Sequence, residues 1–306
     1  MNDGSDQASR REAPGRGLAL GLAGIVVFGL TLPATRLAVA HLDAWLVAFG
    51  RGLIAGLLAA AVLLGRGNGL PPRSDWARLV RISLGVVLGF PLLATLAMQH
   101  APAGHGGVVL GVLPLATAVA SVLLAGERPS VAFWAAAIAG SLAVLAFTLL
   151  AGDASTDIGL GDLLLLGAVA SAAVGYAEGG VLARRLGGWQ VISWALVAAL
   201  PLMAVGTLAR LPSANWAAPA SAWAGFVYVA VLSQYLGFFA WYRGLAIGGI
   251  ARIGQLQLLQ TFVTLAAAAL LLGEQIGWRE IGFAVLVAVC VLGGWRARVI
   301  HSFERK

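Results

Sequence analysis

The chain has 306 residues, of which 60% are hydrophobic and 11% charged, with a formal net charge of +7. Soluble domains are nearer half apolar and a quarter charged, so a mean hydropathy of +0.90 excludes a water-soluble globule and makes lipid the solvent for most of the chain. The basic excess does not point to nucleic acid, because the arginines fall in small groups between apolar runs instead of on one polar surface.

A helix crosses the hydrocarbon layer with about 20 apolar residues, whereas a closed barrel shows alternating polarity. The runs here are continuous and rich in Ala, Leu and Gly, so an all-α integral membrane protein is expected. An N-tail, 1–16, leads into the first span, 17–39. The "AVA" at 38–40 looks like a signal-peptidase site, but the apolar run is longer than a signal core and Arg36 sits just before it. The segment therefore reads as a retained transmembrane helix. The second span is 44–65, followed by the breaker-rich "RGNGLPPRSDW" at 66–76. Spans three to five are 79–99, 106–126 and 130–151. After "AGDASTDIGLGD" come 161–182, 189–209, 222–242, 253–273 and 278–296, ten spans in all, and a short C-tail ends the chain.

Orientation follows the arginines. With both termini in the cytoplasm, sixteen basic residues fall inside, and two, Arg210 and Arg279, fall outside. The odd span count per half carries a second message. "LLAGER" at 123–128 and "LLLGEQ" at 270–275 each close a long uncharged run, 147 positions apart, and the flanking segments align at the same offset. Two five-span halves, 17–151 and 152–298 with 299–306 as the tail, are then inserted in opposite orientations. Gly in these pairs suits a left-handed helix cap, and Glu is expected to favour the N-terminus of the helix that follows it.

Candidate site residues are polar groups inside spans. Gln257, Gln260, Thr261 and Thr264 share one helical stripe, and such a stripe turns to a water-filled cavity or to hydrogen bonds with other helices. The offset lays Pro114 and Thr117 over Thr261 and Thr264. Tyr228, Tyr235 and Tyr242 recur every seven residues with Gln234, Phe238 and Trp241 alongside; Tyr235 and Phe238 are the cavity candidates, and Tyr242 reads as an interfacial belt residue. Trp134 and Trp194 read as packing residues. Arg51, inside span two, either holds a substrate carboxylate or pairs with a structural acid, with Arg36 and Asp43 as neighbours. Glu178 is either a proton-coupling carboxylate or an ion-pair partner of Arg184, Arg185 or Arg243.

Soluble catalysis finds no support. The single cysteine, Cys290, permits no intrachain disulfide, the four histidines have no metal-ligand spacing, and neither a phosphate loop nor a nucleophile motif is present. No cofactor or catalytic residue is expected. The remaining enzyme alternative, a membrane-embedded enzyme acting on a lipid-linked substrate, would rest on His100 and His105 at one interface.

"GLTLPATR", "FGRGLIAGLL", "AMQHAPAGHGGVVLGVLPLATAVASVLLAGERPS" and "YRGLAIGGIARIGQLQLLQTFVTLAAAALLLGEQIGWREIG" resemble the drug/metabolite transporter superfamily, in its EamA-type branch of ten-helix proteins built from two five-helix repeats. That resemblance implies a secondary transporter in a bacterial cytoplasmic membrane, an exporter of small metabolites such as amino acids. Such a carrier has a small-molecule substrate and membrane lipid as its partners, and proton coupling is one option. One departure stands out: where the family has Leu-x-Pro in the ninth span, this chain has Leu259-Gln260-Thr261, and only Pro114 keeps the proline.

Overall fold

The structure, a computed structural model, describes residues 3–101, 103, 106, 109–151, 159–272, 278–296 and 299–301. Seven helices in it are long and apolar enough to cross a membrane: α1 (Gly15–Val39), α2 (Ala44–Gly65), α3 (Arg73–His100), α6 (Leu160–Leu186), α7 (Gly188–Ser213), α8 (Ala220–Gly248) and α9 (Ile250–Leu271). Three shorter apolar segments lie at Leu110–Ala125 (α4), within Val131–Ala151 (α5) and within Trp278–Arg296 (α10). Two three-residue strands, β1 (Glu127–Pro129) and β2 (Val299–His301), pair antiparallel with Glu127 opposite His301.

Helix boundaries depart from the sequence expectation where charges suggested loops. Helix α3 starts at Arg73, directly after the Pro72 cap, and α8 runs on past Arg243 to Gly248. One residue, Gly249 at φ +87°, then turns the chain into α9. Only Gly takes that backbone conformation without a steric penalty. Arg243 remains exposed there, so a continuous helix replaces the expected loop.

Packing joins elements distant in sequence. Helix α1 lies along α8, α3 along α6, α2 along α7, α4 against α9 and α6, and α5 against α10. The first two contacts depend on glycine. A methyl group on Gly244 would lie 3.0 Å from the Gly21 nitrogen, and one on Gly85 would lie 2.6 Å from the Ser171 carbonyl oxygen. Close backbone approach is how helices gain contact where lipid supplies no hydrophobic drive.

Two helices carry π-helical turns, Ser83–Gly89 in α3 and Tyr228–Leu236 in α8. Such widened turns concentrate at functional sites. In addition, α1 breaks at Leu30, between Gly29 and Thr31. Pro33 lacks the N–H that would bond the Gly29 carbonyl, and the Thr264 hydroxyl of α9 donates to that oxygen at 2.8 Å instead.

The Gly-Glu pair behaves differently from expectation in one respect. Gly126 does end α4 in the left-handed conformation, φ +65°. Glu127, however, caps α9 and not the helix that follows it. Its buried carboxylate accepts from the Ile250 and Ala251 N–H groups at 2.9 and 2.8 Å, and from Arg184 at 3.0 Å. The helix dipole favours a carboxylate at any N-terminus, and chain folding brings α9 to it from the other half. The second pair, Gly273-Glu274, lies outside the described residues.

Candidate functional site

A nearly closed cavity lies where α1, α2, α3, α4, α6, α8 and α9 meet, walled by Phe28, Thr31, Arg51, Val86, Tyr176, Ser233, Gln234, Phe238 and Gln260 among others. Its free volume is about 10 Å³, roughly the room one water needs. Arg51 sits ~10 Å along α2 from Ala44 and Gln260 ~15 Å along α9 from Ile250, at the helical rise of about 1.5 Å per residue. Both depths fall well inside a hydrocarbon layer of roughly 30 Å.

Arg51 is the dominant charge of this cavity. It is only 2% exposed. Its Nη2 donates to the Ser233 hydroxyl at 3.2 Å, and Ser233 in turn shares a 2.8 Å hydrogen bond with Thr31. Its Nε and Nη1 have no hydrogen-bond partner among the described residues, and no carboxylate pairs with it among them. The structural-acid reading of Arg51 is therefore corrected. Asp43 is held by Arg210 through two hydrogen bonds of 3.1 and 2.7 Å, and Arg36 donates to the Met98 and Ala101 carbonyls at the end of α3. Partial burial pushes the Asp43 carboxyl up. The Arg210 hydrogen bonds and the backbone donors of Leu46 and Trp45 outweigh that and hold it below its ordinary value.

Aromatic rings of Phe28, Tyr176 and Phe238 also line the cavity. Phe28 meets Phe238 at 5.0 Å between centroids and Tyr176 at 6.4 Å; Tyr176 meets Trp241 at 5.3 Å. A guanidinium and aromatic rings lining one cavity suit a small amphipathic anion. Gln260 adds its amide oxygen, which has no partner among the described residues.

The structure places the sequence candidates in separate groups. Arg51, Phe238 and Gln260 line the cavity. Tyr235 follows Gln234 in the same π-helical turn but is not among the lining residues, and its hydroxyl lies 2.9 Å from that of Ser193. Gln257 reaches the Thr117 hydroxyl at 3.4 Å, with Pro114 buried nearby at the start of the regular part of α4. Thr264 satisfies the Gly29 carbonyl, and Thr261 is buried on the same helix. The α9 stripe is thus shared between the cavity and helix contacts. Tyr242 is no belt residue: it is fully buried and donates to the Gly175 carbonyl at 3.1 Å. Trp194 packs edge-on against Trp76, and Trp134 against Phe133.

Glu178 is an ion-pair residue, but its partners are Arg78 at 3.0 Å and Arg81 at 2.6 Å, both on α3. Arg184 pairs with Glu127 and Arg185 with Asp75. Both carboxylate oxygens of Glu178 are thus engaged by α3 arginines. His100 is exposed at the end of α3, and His105 lies outside the described residues.

Sequence reading passed over Thr31, Ser233 and Tyr176. The available signals were faint: Thr31 is a single polar residue inside "GLTLP", and Ser233 forms a Ser-Gln pair within an otherwise apolar run. Among the described residues, no group of three or more potential metal ligands is present.

Comparison with known proteins adds three findings. The EamA-like transporter family matches twice, over residues 15–149 and 159–293. Two Bacillus subtilis (strain 168) proteins are similar along most of their length. One, named Uncharacterized transporter YdeK, is 45% identical over 276 residues, covering 90% of this chain and 96% of that protein. The other, Uncharacterized transporter YvbV, is 28% identical, covering 82% of each. A solved crystal structure shares the fold at 21% identity, with a TM-score of 0.67, over 91% of this chain and 96% of that one.

Proposed function

The chain belongs to the EamA-like transporter family of the drug/metabolite transporter superfamily, and on that premise we propose that it exports a small metabolite bearing a carboxylate, such as an amino acid. It is a multi-pass membrane protein. Secondary transport by alternating access across a bacterial cytoplasmic membrane, with both termini inside, is the mode this reading assigns.

One observation carries it: Arg51, buried beside the cavity with two nitrogens unpartnered among the described residues. An unpaired guanidinium at membrane depth is expensive, and a substrate carboxylate is the counter-ion the cavity lacks. Arg favours this role because its planar fork binds a carboxylate bidentately. Thr31, Ser233 and Gln260 supply the remaining polar contacts, and the aromatic wall takes the apolar body of the substrate.

The double family match supports a ten-helix inverted repeat, 17–151 and 152–298. So does the packing. Exchanging the halves maps the α1–α8 contact onto α6–α3, and leaves α2–α7, α4–α9 and α5–α10 each paired with itself. The π-helical turns fall at corresponding places, in the third helix of each half. Two similar halves in opposite orientation can exchange conformations and open a midplane site to either side.

The test is counterflow of radiolabelled amino acids in proteoliposomes, with and without a pH gradient. Preloaded acids should drive uptake of label, and the matching methyl esters, which lack the carboxylate charge, should not. Equal exchange of an acid and its ester would refute the assignment of Arg51.

A further inference from the structure

The π-helical turn of α3 leaves one carbonyl without a donor. The Phe90 N–H bonds to the Gly85 oxygen, the i to i−5 pattern of a π-helix. One step on, the same pattern would pair the Val86 carbonyl with residue 91, which is proline and has no N–H. The Phe90 N–H is already engaged, so α3 itself offers Val86 no donor in either register. The Gln234 side-chain Nε2 fills the gap at 3.0 Å. Gln234 belongs to the π-helical turn of α8, is 1% exposed, and lines the cavity together with Val86. Its neighbour in that turn, Ser233, holds Arg51 and Thr31.

We propose that the Gln234–Val86 hydrogen bond is the clasp that keeps the cavity shut, and that Gln234 is a positioning residue for the transport cycle. It ties the widened turn of α3 to the widened turn of α8 across the cavity, and these two helices belong to different halves of the chain. The inference rests on the transporter reading for its purpose, because parting of the two halves is what admits substrate. Its geometry is independent of which substrate binds. While the clasp is closed, about one water fits beside Arg51; when α3 and α8 part, the Val86 carbonyl and the Gln234 amide both become available to solvent or substrate. A π-helical turn is suited to this, since its backbone groups are already partly released from the helix ladder.

The competing explanation is a static one: Gln234 merely satisfies an orphaned carbonyl. Pro91→Ala separates the two, because it returns an N–H to position 91 within α3 itself. The reporter is Leu110→Cys in a Cys290→Ala background, since Leu110 lines the cavity and takes no part in its hydrogen bonds. A membrane-impermeant thiol reagent on the purified carrier, without substrate, gives the labelling rate, and thermal unfolding gives stability. Gln234→Leu should raise the labelling rate by about 3- to 10-fold, the population shift expected for one lost buried hydrogen bond, and should lower the midpoint of unfolding. Adding Pro91→Ala should recover the midpoint but leave the labelling fast. If Pro91→Ala restores slow labelling as well, or if Gln234→Leu never speeds it, the clasp is refuted. Because no substrate enters the assay, a carrier that fails the amino-acid counterflow test can still pass this one, and the reverse.

Discussion

Arg51→Met separates a substrate-binding arginine from a structural one. Breaking a buried ion pair strands the surviving charge and costs about 3–5 kcal/mol. Arg51 has no acidic partner among the described residues, so its removal strands nothing there. What is lost is one charged hydrogen bond, to Ser233, of about 1.5–3 kcal/mol. What is gained is relief from burying an ion, several kcal/mol even after relaxation. Methionine keeps an unbranched apolar stem of similar reach, and the aromatic wall is undisturbed. The net expectation is a carrier as stable as wild type or more stable by about 1–3 kcal/mol, with no exchange of carboxylates. Thermal unfolding of purified protein, followed by the fluorescence of its ten tryptophans, should therefore give an unchanged or raised midpoint. Proteoliposome counterflow should be lost. A midpoint lowered by about 6–20 °C, the 3–5 kcal/mol of a lost pair at roughly 2–4 °C per kcal/mol, would refute the reasoning, as would wild-type exchange.

Other expectations follow from particular contacts. Glu127→Ala should lower the unfolding midpoint clearly and Glu127→Gln less, because the carboxylate holds two α9 N–H groups and Arg184 in a buried position and each charged hydrogen bond is worth about 1.5–3 kcal/mol; equal midpoints for wild type and both variants would contradict that. The Asp43 carboxyl is held below 3.8, its ordinary value, so its contribution to stability is full above that pH and fades as pH falls through the lower folded-state value. Unfolding midpoints measured between pH 5 and pH 2.5 should therefore fall more steeply in wild type than in Asp43→Asn, and parallel curves would argue against the pair. Topology reporters fused after Gly126 and Arg185 should report cytoplasm, and those after Asp157 and Gly277 the outside; Gly126 and Gly277 reporting the same side would overturn the inverted repeat.

Hydropathy determined the class of this protein, because lipid accepts only helices or closed barrels and leaves a long, continuous apolar signature of the first. The two Gly-Glu pairs pointed to an internal repeat, and the same family model matches each half of the chain. Arg51 was legible too, since a charge inside an apolar run has few explanations. Partners were not. Sequence spacing put Glu178 near Arg184 and Arg185, whereas α3 delivers Arg78 and Arg81 to it from about a hundred positions away. Tyr242 read as interfacial because it falls at a run's edge, but α8 continues six residues further and buries it. The polar stripe of α9 was a sound reading of one helix face, yet a face does not say what stands opposite. Pro33 breaks α1 so that Thr264 is used on a carbonyl, and only Gln260 of the four reaches the cavity. Periodicity is a property of one helix, and hydrogen-bond partners belong to the packing of several. Which polar groups line the cavity and which repair the backbone was decided only by the packing of the helices.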